Sequence, residues 1–442
     1  MKNITAILCL LLLTLSASAD RVKVRLFTNN SIDLINISFD LGTYNLYGGD
    51  TTLIAAEVGN DKSVELTPKG KLVHVAIDGY EYGNYPHVTF SATDTACILC
   101  LNPRNVKQRT YEGNLIVSVG KNGKLFIIND VEFETYIAGV VQSEIYGTQS
   151  DIFRVQAIIS RTWAMKNIHK HKNEGYNFCD QVHCQAYLNR CVRPDIMLGT
   201  MQSSGMTIVD ANDKLIETPF HSNSGGQTAN SEDVWREAVP YLRSVPDTFS
   251  YHMRQSEWVK VVDESKWLNY FANKHKLDIT NDSIRNELLT FSQSQRKVRL
   301  CGVPLTRIRT DFQLKSTFFS VLYDSTAHRV TLSGHGFGHG VGLSQEGTIR
   351  MVGLGIAYDS IIHHYYTGSH IHHDETHPHS YVENYIKQIA RIIEEDKNLS
   401  TQTKSKKDDW LGRLFRVRDR EEREEVYDPT TEELDSDWKY DW

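Results

Sequence analysis

The chain has 442 residues, too many for one small core, so two lobes or domains are expected. Its 40% hydrophobic and 23% charged content is that of a soluble globular protein rather than a disordered chain. A formal net charge of −7 argues against a general nucleic-acid binder, which carries a basic surface.

Lys2 gives the N-terminus a small positive charge, and Ile4 to Leu15 form an apolar run too short and too poorly flanked to span a bilayer. Ala17-Ser18-Ala19 is a small-x-small cleavage site. Residues 1–19 therefore read as a secretory signal peptide, with Asp20 as the first mature residue. Cys9 lies inside the apolar run, not at a processing site, and is not read as a lipid anchor. No later segment has the length and apolarity of a transmembrane helix, so the mature chain is expected to be exported, in the periplasm or cell envelope. Six cysteines remain without Cys9: Cys97, Cys100, Cys179, Cys184, Cys191 and Cys301. An even number in an exported protein permits disulfides, but their pairing is not readable.

Residues 20–129 read as a strand-rich region. Val22, Val24 and Leu26 alternate with charged residues, as do Ile35, Ile37 and Phe39, and later Leu115, Val117 and Val119. Gly48-Gly49 and Asp78-Gly79 are turn signals between runs. The period then becomes helical. Asp130 is the expected N-cap, with Glu132 and Glu134 in the first turn and Gly147 as the stop. A second helix is expected from Ser150 or Asp151 to about His171. Residues 200–262 read as strands and loops, and 263–293 as polar and partly helical. A glycine-rich stretch from Gly334 to Gly347 leads into a short helix ending near Gly353 or Gly355. Residues 381–442 read as one more helix followed by a charge-dense tail with an apolar cluster, Trp410 to Phe415.

Glu144 falls on the apolar stripe of its helix, seven residues after Ile137 and close to Val140 and Val141. Desolvation there raises a carboxyl pKa, which a general acid at neutral pH requires, whereas a glutamate at the edge of the stripe would point to water or pair with an arginine; periodicity alone favours the latter. Cys179, His183, Cys184 and Cys191 cluster within thirteen positions. Their spacing is not a clean structural-zinc signature, and a disulfide such as Cys179 with Cys184 stays open beside a metal. Cys97-x-x-Cys100 lacks a helical setting and reads as a local disulfide or as free thiols. His370, His372, His373, His377 and His379 read as a solvated loop, with metal capture as the sharper alternative.

Several blocks occur in order. They are Tyr136-Ile137-Ala138-Gly139-Val140-Val141 followed by Glu144, Gln156-Ala157 followed by Arg161-Thr162-Trp163-Ala164, and Phe220 to Thr228 (FHSNSGGQT). Ser231 to Trp235 (SEDVW) and Pro240 to Val245 (PYLRSV) come next, and the last are Gly338 to Gly347 (GHGVGLSQEG) and His364 to Gly368 (HYYTG). The set resembles the sporulation stage II protein D family, including its amidase-enhancer relatives, over about Val131 to Ile371.

The resemblance implies a catalytic region at residues 130–380. It also implies a mixed α+β fold, a strand-rich body with helices carrying the catalytic glutamate at a surface groove. Its best-understood members are lytic transglycosylases that cut peptide-stripped peptidoglycan between N-acetylmuramic acid and N-acetylglucosamine. Glu144 matches the family's acid/base, and Arg161 its arginine on the next helix, which would hold substrate or steady charge nearby. His221, Ser222, Ser224, Gln227, His339, Ser344 and Gln345 would face sugar. Tyr365 is a candidate stacking surface, with one of Tyr365 and Tyr366 expected in the core. The reaction requires no cofactor, although some members bind zinc beside the cleft through cysteine and histidine. The implied partners are glycan strands and, on the rival reading of a non-catalytic activator, a cell-wall amidase.

Overall fold

A computed structural model describes residues 21–374. The expected signal peptide, the charged tail, His377 and His379 lie outside the described residues. The fold is mixed α+β with a strand-rich body, as the sequence predicts.

Two antiparallel-rich sheets form that body. A seven-stranded sheet runs in the order Phe178–Cys179, Arg21–Leu26, Leu125–Glu132, Asn114–Val119, His87–Ala92, Tyr44–Gly48, Thr52–Val58. A six-stranded sheet runs Arg109–Glu112, Ile98–Pro103, Ile35–Leu41, Val64–Lys69, Leu72–Ile77, Tyr80–Tyr85. The period-two pattern explains both, because Val22, Val24, Leu26, Ile35, Ile37 and Phe39 all turn into one shared core. Asp78 and Gly79 both adopt positive φ, the backbone that a tight two-residue hairpin needs. Cys97 and Cys100 are buried free thiols.

The chain then enters helix α1 (Phe133–Glu144). It starts later than the sequence suggests. Asp130 still belongs to the preceding strand and pairs with Arg21, and Glu132 occupies the N-cap without a side-chain cap bond. Helix α2 (Ser150–Lys166) ends before His171, where Asn167 donates its side-chain amide to the Trp163 carbonyl. Helix α3 (Pro194–Gln202) crosses α2 at Gly199, where a Cβ would stand 2.5 Å from the Ser150 carbonyl oxygen. A single turn, α4 (Ser231–Val234), follows.

Residues 257–335 build a second lobe. Its strands Glu257–Asp263, Arg329–His335 and Phe319–Asp324 form a three-stranded sheet. Helices α5 (Glu264–Asn269), α6 (Asp282–Thr290) and α7 (Leu305–Asp311) cover one face. Its core, including Trp258, Trp267, Leu288, Phe319 and Leu332, is separate from the main one. The chain then returns to the main body through the glycine-rich stretch into α8 (Gln345–Gly353) and α9 (Tyr358–Tyr365). His370–His373 is not a loop; it forms a strand paired with Met206–Val209.

Candidate active site and metal-ligand cluster

The last three residues of α1 each accept a backbone N–H from the segment that follows Cys184. Val192 donates to Gln142 at 2.8 Å, Leu188 to Ser143 at 3.1 Å and Ala186 to Glu144 at 2.6 Å. Gly139 makes this close approach feasible, because a Cβ there would lie 2.5 Å from the Tyr187 ring. Gln345, at the start of α8, donates from the far side to the Glu144 backbone carbonyl at 2.8 Å. The first motif and the Gly338–Gly347 motif therefore meet at Glu144.

Glu144 stays partly open to solvent while protein crowds its carboxyl. Burial raises the pKa from 4.5 to about 7, and the Ala186 N–H opposes that rise. No cation pairs with it among the described residues. The C-terminal end of α1 adds partial negative charge, which further disfavours the carboxylate. The group is thus poised to hold and return a proton near neutral pH.

Arg161 does not reach this carboxyl. It is fully buried, and its guanidinium grips Glu134 at 2.7 and 2.6 Å. It also donates to the Met206 carbonyl at 3.2 Å, with longer bonds to Ser203 and Thr200. The role expected of Arg161 at substrate is corrected: it is a structural cation joining α1, α2 and α3. A cavity of about 430 Å³ borders it, lined also by Met165, Thr207, Asp213 and His372, not by Glu144.

Several expected sugar contacts are likewise part of the fold. Ser224 and Ser344 are fully buried. Ser224 donates to Asp247 at 2.7 Å, and Ser344 caps α8 by accepting from Gly347. Tyr365 is buried with its hydroxyl on Asp247 at 3.0 Å, and Tyr366 is buried too, so neither is a stacking surface. His221 is buried, donating from Nδ1 to the Val341 carbonyl, and its Nε2 has no partner. Burial, then the neighbouring His339 and Arg296, hold its pKa well below the usual value. His339 donates from Nε2 to the Phe220 carbonyl and accepts the Val341 N–H at Nδ1. Gln227 is half-buried, bonding Ser244 and accepting from the Arg296 N–H. Ser222 and Gln345 are half-buried, and of these expected contacts only Gln345 touches Glu144.

The cysteine cluster differs from its sequence reading in one ligand. His171, Cys179, His183 and Cys184 place their donor atoms within 4.8 Å of one another. Cys191 lies apart, its thiol on the Arg193 carbonyl at 3.6 Å. Both Cys179 and Cys184 are free thiols rather than a disulfide. The thiols stand 3.3 to 3.7 Å from the imidazole nitrogens. A tetrahedral zinc with sulfur and nitrogen ligands needs edges of about 3.5 Å, so the donor set fits. His171 receives support from Glu174, whose carboxylate sits 2.5 Å from Nδ1 and turns Nε2 toward Cys184. The Cys179 thiol is pulled down in pKa by the hydrogen bond from Cys184, which favours a thiolate. His171 was missed in the sequence because it belongs to the preceding segment, eight residues before Cys179.

Residues 121–211 match the family model described as Stage II sporulation protein, a span that holds Glu144, Arg161 and the His/Cys quartet. Stage II sporulation protein D of Bacillus subtilis (strain 168) is 25% identical over 260 residues, 55% of this chain and 75% of that protein. Its counterpart in Bacillus amyloliquefaciens is 25% identical over 262 residues, 54% of this chain and 74% of that one. The Amidase enhancer of Bacillus subtilis (strain 168) is 24% identical over 288 residues, 53% of this chain but 40% of the enhancer.

Proposed function

On the premise that the chain belongs to the Stage II sporulation protein D and amidase-enhancer family, with its cell-wall role, we propose that it is a peptidoglycan lytic transglycosylase. The observation that carries this reading is Glu144: a single carboxyl with a pKa of about 7, one N–H donor and no cation among the described residues. Protonated Glu144 gives its proton to the oxygen bridging N-acetylmuramic acid and N-acetylglucosamine as that bond breaks. The carboxylate so formed takes the proton of the muramic 6-hydroxyl, whose oxygen closes on C1 to make a 1,6-anhydro ring. Water is not consumed, so a second carboxylate across the bond is not needed, unlike in hydrolytic glycosidases. Ala186 stabilises the ionised intermediate form through its N–H.

The His171, Cys179, His183 and Cys184 quartet holds zinc in this reading. Zinc held by these four residues would supply structural cross-linking rather than acid/base chemistry. The segment from Cys184 to Ala186 is thereby fixed where its N–H meets Glu144.

Peptide-free glycan strands are the test substrate. Fragments ending in 1,6-anhydro-muramic acid, one water lighter than hydrolysis products, support the lyase. Reducing ends would make it a hydrolase. A second reading, activation of a cell-wall amidase, draws on the enhancer relative and on the burial of Ser224, Ser344 and Tyr365. It prevails if the protein cuts no glycan yet stimulates an amidase equally well with Glu144→Gln.

A further inference from the structure

Glu346 is fully buried in the first turn of α8, and no cation pairs with it among the described residues. Its carboxylate is held by neutral donors from three other segments. The Tyr146 hydroxyl donates to Oε1 at 2.7 Å, the Asn223 amide to Oε2 at 2.6 Å, and the Gln255 N–H reaches both oxygens at 3.3 and 3.0 Å. Asn223 belongs to the glycine-rich loop before α4, and Gln255 to the segment that enters the second lobe. One carboxylate thus ties together the end of α1, that loop and that segment.

Tyr146 is the donor that differs from the others. It follows Glu144 by two residues, where the chain leaves α1 through extended backbone at Ile145, and it is only half-buried. Burial and the bond to Glu346 raise the pKa of its phenol, which therefore remains protonated. A carboxylate can only accept. It therefore fixes the phenolic hydrogen inward and leaves the oxygen lone pairs of Tyr146 as the free hydrogen-bonding capacity of that group. A glutamine at 346 could donate instead, and would let the phenolic hydrogen turn outward.

We propose that Tyr146 is a substrate-binding residue next to Glu144, accepting a hydrogen bond from a hydroxyl or acetamido N–H of the glycan, and that Glu346 is the positioning residue that fixes its polarity. The assignment rests on the glycan reading given above and adds two residues to it.

The experiment measures binding of a peptide-free, N-acetylated glycan fragment in a Glu144→Gln background, which does not cleave. Tyr146→Phe is expected to weaken binding about three- to tenfold, the worth of one hydrogen bond. Glu346→Gln is expected to do the same, and the double variant to be no weaker than either single one, because both act through one contact. In the cleaving protein, the same variants should lower kcat/KM while the pH dependence assigned to Glu144 stays in place. Unchanged binding in Tyr146→Phe overturns the proposal, as do losses that multiply in the double variant. Should Glu346→Gln fail to fold, Tyr146→Phe alone decides the substrate contact. If the parent binds glycan but the wild type does not cut it, the lyase reading fails while the binding series still judges Tyr146. If the parent binds no glycan, both fall.

Discussion

Two glutamates stand at opposite ends of α1, and their surroundings differ in kind. Glu134, in the first turn, is buried against the Arg161 guanidinium in a two-bond pair. Glu144, the last residue, is desolvated with one backbone N–H and, among the described residues, no cation. Both charges were costly to place, yet only the first is compensated. The pair at Glu134 is a fastening between helices. The carboxyl at Glu144 resolves its desolvation by holding its proton to about pH 7, and that is the property a general acid needs. Arginine and glutamate in consecutive motifs therefore meet different fates: Arg161 is spent on the Glu134 pair, and Glu144 is left with a carboxyl whose pKa is raised.

The largest effect that would sharpen this contrast is loss of cleavage in Glu144→Gln. Proton transfer contributes about a hundred- to ten-thousand-fold, so turnover should fall by that much while cooperative unfolding is retained. Residual activity near that of the wild type would remove Glu144 from the mechanism.

Arg161→Met should act the other way. Leaving Glu134 buried and alone costs about 3–5 kcal/mol, read by chemical denaturation, and adding Glu134→Leu should restore most of it. Turnover per folded molecule should remain close to the wild type in the double variant. A turnover defect with unchanged stability would return Arg161 to a substrate role.

A smaller effect is expected from pH. The folded pKa of Glu144 lies above its ordinary value, so the folded state binds the proton more tightly than the unfolded chain does. The stability this contributes is complete below pH 4.5 and is lost as pH rises to about 7. Glu144→Gln should abolish that loss, gaining on the order of 2–3 kcal/mol over the wild type between pH 4 and pH 8. Cleavage by the wild type should decline above pH 7 as the acid form disappears. Parallel stability profiles for the two proteins would contradict the raised pKa.

The smallest expected change is thermal. Removing zinc with a chelator should lower Tm by a few degrees. Metal analysis should find about one zinc per chain, lost in Cys184→Ser. Metal-free protein with an unaltered Tm would leave the quartet as a thiol–imidazole cluster.

The strands and the position of Glu144 were legible because both follow from local period: Val22, Val24 and Leu26 alternate, and Glu144 continues the Ile137–Val141 stripe. The partners of these residues were not legible. Glu134 meets Arg161 across two helices, and Tyr146 meets Glu346 across two hundred positions, so no window of sequence contains either pair. Burial misled the reading of Ser224, Ser344 and Tyr365. Small polar residues in a glycine-rich loop suit a ligand and an internal hydrogen-bond network equally well, and here Asp247 claims two of the three hydroxyls directly. His171 escaped because a ligand contributed from a different turn of chain leaves no spacing signature.

The second lobe departs at Ser256 and rejoins at Gly336, and the Gly336 N–H donates to the Ser256 carbonyl at 2.9 Å. A module whose entry and exit touch can be exchanged as a cassette, since the host body needs only to bridge one short gap. Its link to the loop before α4 runs through Arg296, which donates to the Gln227 and Ser224 carbonyls at 2.6 Å each. A graft that kept that arginine would preserve the loop's support, and one that discarded it would leave two carbonyls without their guanidinium donor.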